Sequence, residues 1–310
     1  MKLVHGLLRS INERPTILTI GVFDGMHLGH QHLIGTTVHR ARERQFQSAV
    51  LTFDPHPDSV IRPDRPKRYL ASLAERIEHI RENDADVLII LPFTEEVKQY
   101  TAQIFMEYVC RSLALRELHI GWDFALGYKR EGTFGRLREI GQTLGYSVHP
   151  VEALLYNGDP VSSSRVRHVL DGGDVTLAAE LLGRPFALSG TVTEGDKRGR
   201  TIGFPTANIR VDTSRIMPAN GVYVCRAIIH NQSHDTVTNI GVRPTFDGQQ
   251  RTVEAHLLNF TGDIYGETMQ LRFLHRLRGE QKFNGVTELV TQINRDIETA
   301  SAWFQQNPSI

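Results

Sequence analysis

Short apolar runs alternate with helical stretches through the first half of the chain. Four of these runs predict strands, at Thr16–Val22, Ser48–Phe53, Asp86–Leu91 and Leu115–Gly121. Between the second and third runs, Ser72 and Glu75 have the spacing of a capping box, which predicts a helix continuing over 76–83. Strands that alternate with helices predict an α/β fold with a doubly wound parallel sheet. Ligands of such sheets lie beyond the carboxyl ends of the strands.

The pattern changes after Gly183, where strand candidates follow one another closely with turn residues between them. These candidates are Phe186–Glu194, Gly221–His230, Asp235–Val242, Thr252–Phe260 and Gly266–Leu274. Closely spaced strands of this kind predict a small antiparallel β-barrel. The last segment, Val286–Gln305, has apolar residues at helical spacing and predicts a C-terminal helix packed across the barrel.

The two patterns predict two domains, residues 1–183 and 184–310. The boundary is expected near Gly183-Arg184-Pro185, after two short helical stretches at 165–170 and 175–182. A length of 310 residues is consistent with two domains of ordinary size. Because the two halves have different architectures, we expect two different sites.

Composition narrows the classes of partner. The chain has 35 basic and 35 acidic side chains, so no overall positive field favours nucleic acid or a membrane, and small molecules are the expected partners. Two cysteines, Cys110 and Cys225, exclude a disulfide framework and a multi-cysteine metal site. No signal peptide and no long apolar run is evident, which predicts a cytoplasmic protein. We expect it to be a monomer or a weak homo-oligomer.

The first chemical motif, GVFDGMHLGH at residues 21–30, lies where the first strand ends and the first helix should begin. Glycines there let phosphates approach the backbone amides at the helix N-terminus. His27 and His30 are three residues apart, so their rings can face one side and donate hydrogen bonds to phosphate oxygens. Two alternatives are a solvated surface turn and a zinc site with His32 as a third ligand.

A second cluster, VSSSRVR at residues 161–167, opens a helical segment at the end of the first half. Its hydroxyl groups and two guanidinium groups suit a triphosphate. The alternative is a serine N-cap followed by solvated arginines. Together with the histidine motif, the cluster favours a nucleotide site.

The second half carries GDKRGRTIGFPTAN at residues 195–208, which is not a Walker loop. Its glycines and basic residues are suited to covering phosphates, and the Thr206 hydroxyl and Asn208 carboxamide offer the oxygen ligands that Mg²⁺ prefers. The alternative is a glycine-rich hairpin with a proline corner.

A carboxylate follows on the strand candidate VEAHLLNF at residues 253–260. Strand periodicity places Glu254 and His256 on one face with Leu258 and Phe260. A carboxylate there is suited to accepting the proton of an attacking hydroxyl group during phosphoryl transfer. The alternative is a salt bridge at the barrel edge, with His256 or Arg251 as the partner.

These motifs together resemble the bacterial bifunctional riboflavin kinases/FAD synthetases, whose N-terminal domain is an HxGH nucleotidyltransferase. Further matching segments are TFDPHP at 52–57, GWDFALG at 121–127, LGRP at 182–185, NIGVRPTF at 239–246, IYG at 264–266 and LRGEQKF at 277–283. The resemblance runs from about Gly21 to Phe283. It implies ATP-dependent phosphorylation of riboflavin to FMN in residues 184–310. It also implies adenylyl transfer from ATP to FMN in residues 1–183, giving FAD and pyrophosphate.

The resemblance also implies a role for individual residues. The catalytic groups would be Glu254, His27 and His30. ATP and its phosphates would contact Gly21, Phe23, Asp24, Gly25, Gly29, Ser163, Ser164, Arg165, Arg167, Gly195 and Gly203. The flavin would contact Asp54, His56, Asp123, Arg278 and Phe283, and Mg²⁺ would be held by Thr206 and Asn208. The chain departs from the family pattern at Asp54, Leu126, Ser164 and Asn259, where Glu, Phe, Thr and Asp are usual.

Three other functions account for less of the sequence. A transferase with another phosphorylated acceptor, such as phosphopantetheine or nicotinamide mononucleotide, gives no reason for the second domain. A tRNA-charging enzyme would need a KMSKS-like lysine loop, which the chain lacks. A flavin-binding regulator without activity would be expected to lack catalytic groups, whereas the chain has His27, His30, Thr206, Asn208 and Glu254.

Overall fold

The computed structural model describes residues 1–7, 12–66, 68–195, 199, 202–245 and 248–308. At 12, 243–245 and 248–250 it describes the backbone and not the side chain. The chain divides into two compact units, Met1–Ser163 and Ser164–Ile310. Each unit has its own sheet.

The first unit contains a parallel sheet in the order β1-β4-β3-β2-β5-β6. Its strands are β1 Lys2–His5, β2 Asn12–Ile20, β3 Gln47–Phe53, β4 Val87–Leu91, β5 Leu113–Gly121 and β6 Ser147–Val151. The four predicted strands are confirmed as β2 to β5. The sequence pattern did not single out β1 and β6, because these two edge strands are short and largely exposed and therefore lack a continuous apolar run.

Helices cover both faces of this sheet. They are α1 Leu28–Arg44, α2 Pro57–Ile61, α3 Leu73–Arg81, α4 Glu95–Lys98, α5 Ala102–Ser112 and α6 Phe134–Leu144. A 3-10 turn spans Tyr128–Arg130, and a small hairpin pairs β7 Leu155–Tyr156 with β8 Asp159–Pro160. Helices α1 and α3 pack on one face and α5 and α6 on the other, each over its own apolar cluster. The doubly wound arrangement is confirmed.

The predicted capping box begins α3. The Ser72 hydroxyl accepts from the Glu75 amide at 3.2 Å, and the Glu75 carboxylate accepts from the Ser72 amide at 2.7 Å. Both amides lack partners within the helix, so the reciprocal bonds fix where α3 starts.

A buried carboxylate ties α1 to β5. Glu117 accepts from Arg40 Nε at 3.2 Å, forms an ion pair with Arg44 whose Nε lies 3.2 Å away, and its Oε2 lies 3.5 Å from His119 Nε2. Burial acts to raise the pKa of Glu117, but the hydrogen bond and positive charge of Arg40 outweigh it and hold that pKa below its usual value. These bonds fix the C-terminal half of the helix whose first turn carries the histidine motif.

The second unit begins with two helices, α7 Ser163–Gly172, whose first residue belongs to the first unit, and α8 Val175–Leu182. Six strands then form a closed antiparallel barrel in the order β10-β13-β12-β11-β14-β9. They are β9 Phe186–Thr193, β10 Ala207–Val211, β11 Gly221–Ile229, β12 Gln232–Thr245, β13 Gly248–Leu257 and β14 Thr268–Arg278. The predicted barrel is confirmed. Strand β10, at the end of the glycine-rich motif, was not predicted because only Ala207, Ile209 and Val211 mark its buried face.

The division into compact units falls between Ser163 and Ser164, whereas the domain boundary expected from the sequence pattern follows α7 and α8. Helix α8 packs on β9 and β14. The carbonyl of Leu170 in α7 accepts from the Ala219 amide at 2.9 Å, and that of Gly172 accepts from Arg276 Nη1 at 2.8 Å. The compact division therefore places both helices with the barrel.

The C-terminal helix α9, Val286–Gln306, packs across the outside of the barrel, as predicted. Its Ala300 and Phe304 join Val222, Val224, Val237 and Leu274 in one apolar cluster. The buried carboxylate of Asp296 accepts from Arg278 Nη2 at 2.8 Å and from Arg278 Nε at 3.0 Å. This pair joins α9 to the end of β14.

We expect Glu117→Gln to destabilise the first unit by about 1–3 kcal/mol at pH 7, because it removes a charged acceptor from two guanidinium groups. The folded-state pKa of Glu117 is lowered, so its contribution is complete above the unfolded pKa of about 4.3. That contribution disappears as the pH falls through the folded value. Urea unfolding of the unaltered protein and the variant at pH 7 and near pH 3 measures the difference in free energy of unfolding at each pH.

Glu43→Gln is the matched control, because Glu43 also pairs with Arg40 but is half-exposed. It should change the free energy of unfolding by less than about 0.5 kcal/mol. If Glu117→Gln lowered the free energy of unfolding by as much near pH 3 as at pH 7, the negative charge of Glu117 would not be the cause of its stabilising effect.

Candidate active sites

The loop between β2 and α1 forms the first candidate site. His27 is the N-cap of α1, and its Nδ1 accepts from the His30 amide at 3.3 Å. The two imidazole rings stack with centroids 3.6 Å apart, and the Phe23 ring packs edge-on against His30 at 5.3 Å. His27 is only 4% exposed. The predicted grouping of both histidines at the helix N-terminus is therefore present.

Glycines allow the close approaches in this loop. A Cβ on Gly29 would lie 3.0 Å from the Val161 carbonyl oxygen and 3.2 Å from His27 Nδ1. Gly25 has φ of +82°, and a Cβ there would lie 2.8 Å from the Leu70 side chain. A larger residue at either position would displace the backbone around His27.

Phe23 and Asp24, which the resemblance linked to ATP, shape the loop from inside. The Phe23 side chain is buried. The buried Asp24 carboxylate accepts from the Leu70 amide at 3.0 Å and from the Ala71 amide at 3.1 Å. Ser163 Oγ donates to the Asp24 carbonyl at 2.9 Å, which joins the start of α7 to this loop. These bonds fix the backbone of the loop between β2 and α1 that carries His27.

Three of the predicted phosphate contacts lie further along α7. Ser164 is exposed, and Arg165 and Arg167 are half-buried on either side of the buried Val166. The compact division assigns all of them to the second unit.

Arg76, which the sequence analysis missed, organises the carboxyl ends of β2 and β3. Its guanidinium is 5% exposed and donates to the Val22 carbonyl at 2.9 Å, the Phe53 carbonyl at 3.1 Å and Asp54 Oδ1 at 3.3 Å. Burial lowers the pKa of Arg76, and the charges of Asp24 and Asp54 oppose that effect. The capping box predicted α3, the helix that carries Arg76. Only the tertiary structure shows that the Arg76 side chain reaches the carboxyl ends of β2 and β3.

The predicted flavin contacts of the first unit follow neighbouring strands. Asp54 comes directly after β3 and is held by Arg76. His56 is the N-cap of α2, with Nδ1 accepting from the Asp58 amide at 3.0 Å and its ring stacked on Tyr69. Asp123 follows β5 and is exposed. Strands β3 and β5 flank β2, so these residues occupy the same edge of the sheet as the histidine loop.

The second candidate site lies on the outer face of the barrel. Asn208 on β10 pairs directly with Glu254 on β13. Antiparallel partners project from the same face about 5 Å apart, so the carboxamide and the carboxylate are neighbours. Gly195 packs so tightly against the Asn208 carboxamide that no Cβ would fit between them. This contact sets the position of Asn208.

The glycine-rich segment folds back on itself before β10. The amides of Ile202 and Phe204 donate to the Gly199 carbonyl at 3.2 Å and 2.8 Å, and Gly203 has φ of +91°. A Cβ on Gly199 would lie 3.4 Å from Thr206 Oγ1. The basic residues Lys197, Arg198 and Arg200, predicted to cover phosphates, lie outside the described residues.

The face of β13 agrees with the expectation along the strand. Val253, Ala255 and Leu257 point into the barrel and are buried, whereas Glu254 and His256 lie on the outer face. The strand ends at Leu257, but the Leu258 amide still donates to the Asp235 carbonyl at 2.8 Å, and its side chain packs against the apolar cluster beneath α9. His256 Nδ1 lies 2.7 Å from the Pro205 carbonyl oxygen, which places the imidazole beside the PTAN segment.

Arg278 and Phe283, the predicted flavin contacts of this unit, lie next to each other. The Arg278 guanidinium is 5.7 Å from the Phe283 ring centroid and is bound by Asp296. Asp296 was not predicted, because an acidic residue on an amphipathic helix gives no sign of its partner.

Comparisons with known proteins match both halves of the chain. A riboflavin kinase family profile matches residues 182–304, and an FAD synthetase profile matches residues 9–165. The chain is 36% identical over 305 residues to the bifunctional riboflavin kinase/FMN adenylyltransferase of Bacillus subtilis (strain 168), covering 97% of this chain and 96% of that protein. The chain belongs to the bifunctional riboflavin kinase/FMN adenylyltransferase family.

Other comparisons cover the same length. The bifunctional riboflavin kinase/FMN adenylyltransferase of Escherichia coli (strain K12) is 35% identical over 308 residues, covering 98% of each chain. A crystal structure described as a macrolide-efflux protein from Streptococcus pneumoniae has a TM-score of 0.89 and 30% identity, covering 98% of this chain and 100% of that one. In the described part of this family member, no helix combines the length and apolarity needed to cross a membrane.

Family membership removes several of the open alternatives. Phosphopantetheine, nicotinamide mononucleotide and tRNA are not the acceptors named for these relatives. Among the described residues, no group of three or more His, Cys, Asp or Glu side chains is arranged to hold a metal ion.

We expect Gly195→Ala to lower riboflavin phosphorylation at least about tenfold, because a new methyl group must displace the Asn208 carboxamide. FMN adenylylation by the same protein should not change. Chromatography of riboflavin, FMN and FAD measures both steps. Gly285→Ala is the control, because a Cβ there meets no atom within 4 Å. Equal phosphorylation by the Gly195→Ala and Gly285→Ala variants would refute the positioning of Asn208 by this contact.

Proposed function

We propose that the C-terminal domain phosphorylates riboflavin at the Asn208–Glu254 pair and that the N-terminal domain adenylylates FMN at the His27 loop. The protein is an enzyme of FMN and FAD biosynthesis with small-molecule substrates. The direct pairing of Asn208 with Glu254 on the outer barrel face carries the kinase assignment. The domains acting in the two steps are residues 184–310 and 1–183.

Glu254 is the general base of the kinase step. The terminal hydroxyl of riboflavin is a weak nucleophile, so a positioned carboxylate assists by accepting its proton as the new bond forms. The hydroxyl oxygen attacks the γ-phosphorus of ATP, the bond to the bridging oxygen breaks, and ADP leaves. Glu254 lies on an open face beside Asn208, so both substrates can reach it.

Thr206 and Asn208 are the residues that would hold Mg²⁺. Their hydroxyl and carboxamide oxygens are hard donors, and Mg²⁺ commonly takes one or two protein ligands together with substrate phosphates. The packing fits this use, because the contact with Gly195 fixes the Asn208 carboxamide. When bound, Mg²⁺ supplies positive charge against the ATP phosphates. Gly195 and Gly203 line the same phosphate segment.

Adenylyl transfer needs charge stabilisation more than a base. The phosphate of FMN is already anionic near neutral pH and attacks the α-phosphorus of ATP, and pyrophosphate leaves. His27 Nδ1 accepts a backbone N–H, so a neutral ring carries its proton on Nε2. That N–H is available to donate to a phosphate oxygen. His30, stacked on the same ring, adds a second imidazole.

The remaining assignments rest on the family resemblance. Gly21, Gly25 and Gly29 allow phosphates to approach the start of α1. Ser163, Ser164, Arg165 and Arg167 bind the triphosphate of ATP. Asp54, His56 and Asp123 contact FMN in the first unit, and Arg278 and Phe283 contact riboflavin in the second.

The two activities should be lost separately. We expect Glu254→Gln to lower FMN formation by about a hundredfold or more, with conversion of added FMN to FAD retained. His27→Ala should lower FAD formation to a similar extent, with riboflavin phosphorylation retained. Incubation with riboflavin or FMN, ATP and Mg²⁺, followed by chromatography, measures each step.

Two conservative variants serve as controls. Glu267→Gln removes an exposed carboxylate of the same unit that pairs with His230, and His39→Ala removes an exposed imidazole of α1. Neither should affect either step. If Glu254→Gln or His27→Ala reduced both steps equally while the protein stayed folded, separate sites would be ruled out.

A further inference from the structure

One row of side chains crosses five strands of the barrel. Asn208 on β10 pairs with Glu254 on β13, and Glu254 pairs with Asn239 on β12. Asn239 pairs with Val222 on β11, and Val222 pairs with Arg278 on β14. Paired residues share a face, and neighbouring strands lie about 4.8 Å apart. Glu254 is therefore flanked by Asn208 on one side and Asn239 on the other.

The two ends of the row differ in chemistry. Asn208 is at the polar end, next to the PTAN segment. At the opposite end, Val222 lies in the apolar cluster beneath α9, and Arg278 contacts the Phe283 ring. Asn239 is exposed and is the polar side chain that lies between Glu254 and Val222 in the row.

We propose that Asn239 binds the secondary hydroxyl groups of riboflavin and selects flavins that carry a polyol chain. The inference rests on the assignment of Glu254 as the base. Attacking and leaving oxygens lie roughly in line across the transferred phosphorus. With the ATP phosphates toward Asn208, the acceptor reaches Glu254 from the side of Asn239.

The dimensions of the substrate fit this path. The polyol chain is longer than one strand spacing of about 4.8 Å, so it crosses Asn239 when its terminal hydroxyl lies at Glu254. The flavin ring then lies toward Val222 and Phe283, at the apolar end of the row. A carboxamide suits the middle position because it donates and accepts hydrogen bonds, as secondary alcohols do.

Gly241 and Glu280 form the surroundings of Asn239 on this face. Gly241 lies two residues along the same face of β12, and a Cβ there would be 3.2 Å from Asn239 Nδ2 and 2.8 Å from Glu280 Oε1. Glu280 in turn accepts from Asn220 Nδ2 at 2.9 Å and from the Val242 amide at 3.3 Å. These bonds hold Glu280 beside Asn239 at the border of the open surface.

The test compares two acceptors in the full-length protein. One is riboflavin, and the other is a flavin whose polyol is replaced by an unbranched alkyl chain of equal length with a terminal hydroxyl. We expect Asn239→Leu to lower kcat/KM for riboflavin about tenfold, because it removes hydrogen bonds to the secondary hydroxyls. For the alkyl flavin, kcat/KM should stay within about twofold. Adenylylation of FMN should not change.

Gln232→Leu is the matched control, because Gln232 is an exposed amide at the start of the same strand, away from the row. It should leave both acceptors unaffected. An equal fall in kcat/KM for both acceptors with Asn239→Leu would show a structural role, and no fall for riboflavin would show no contact. Either result overturns the inference. If the unaltered protein phosphorylated neither flavin, the proposed function itself would fail, and the inference with it.

Discussion

Both candidate sites depend on backbone that approaches a functional side chain too closely for a Cβ atom. Gly29 brings the Val161 carbonyl and the His27 ring against the first turn of α1, and Gly195 brings the chain against the Asn208 carboxamide. These contacts restrict where an imidazole and a carboxamide can lie. Close packing against glycine therefore helps to position the candidate site groups, and hydrogen bonds such as that from the His30 amide to His27 Nδ1 hold the loops in place.

The two folds place their site residues in different ways. A parallel sheet collects loop residues at one edge, where the positive end of the α1 dipole attracts phosphate oxygens. An antiparallel barrel instead sets side chains in direct register, so a carboxylate on β13 stands beside a carboxamide on β10. The first arrangement favours charge stabilisation of an anionic nucleophile, and the second favours deprotonation of an alcohol. This difference gives a physical reason for two units in a single chain.

Ion pairs with at least one buried partner stabilise the elements that carry each site. Glu117 binds Arg40 and Arg44 at the far end of the helix that carries His27, and Asp296 binds Arg278 where β14 meets α9. Arg76 has the same function beneath the edge formed by β2 and β3. None of these partners is close in sequence, so each bond requires the complete fold.

The sequence by itself determined the two architectures, because hydrophobic periodicity reports which face of each segment is buried. It also identified His27, His30, Asn208 and Glu254, because each lies in a compact motif with recognisable chemistry. Only the tertiary structure placed Arg76, Asp296 and Asn239, and only it showed that α7 and α8 contact strands of the barrel. Those features depend on strand register and on contacts between distant segments. A linear pattern carries no signal for either, since it records which side of an element is buried but not what lies against it.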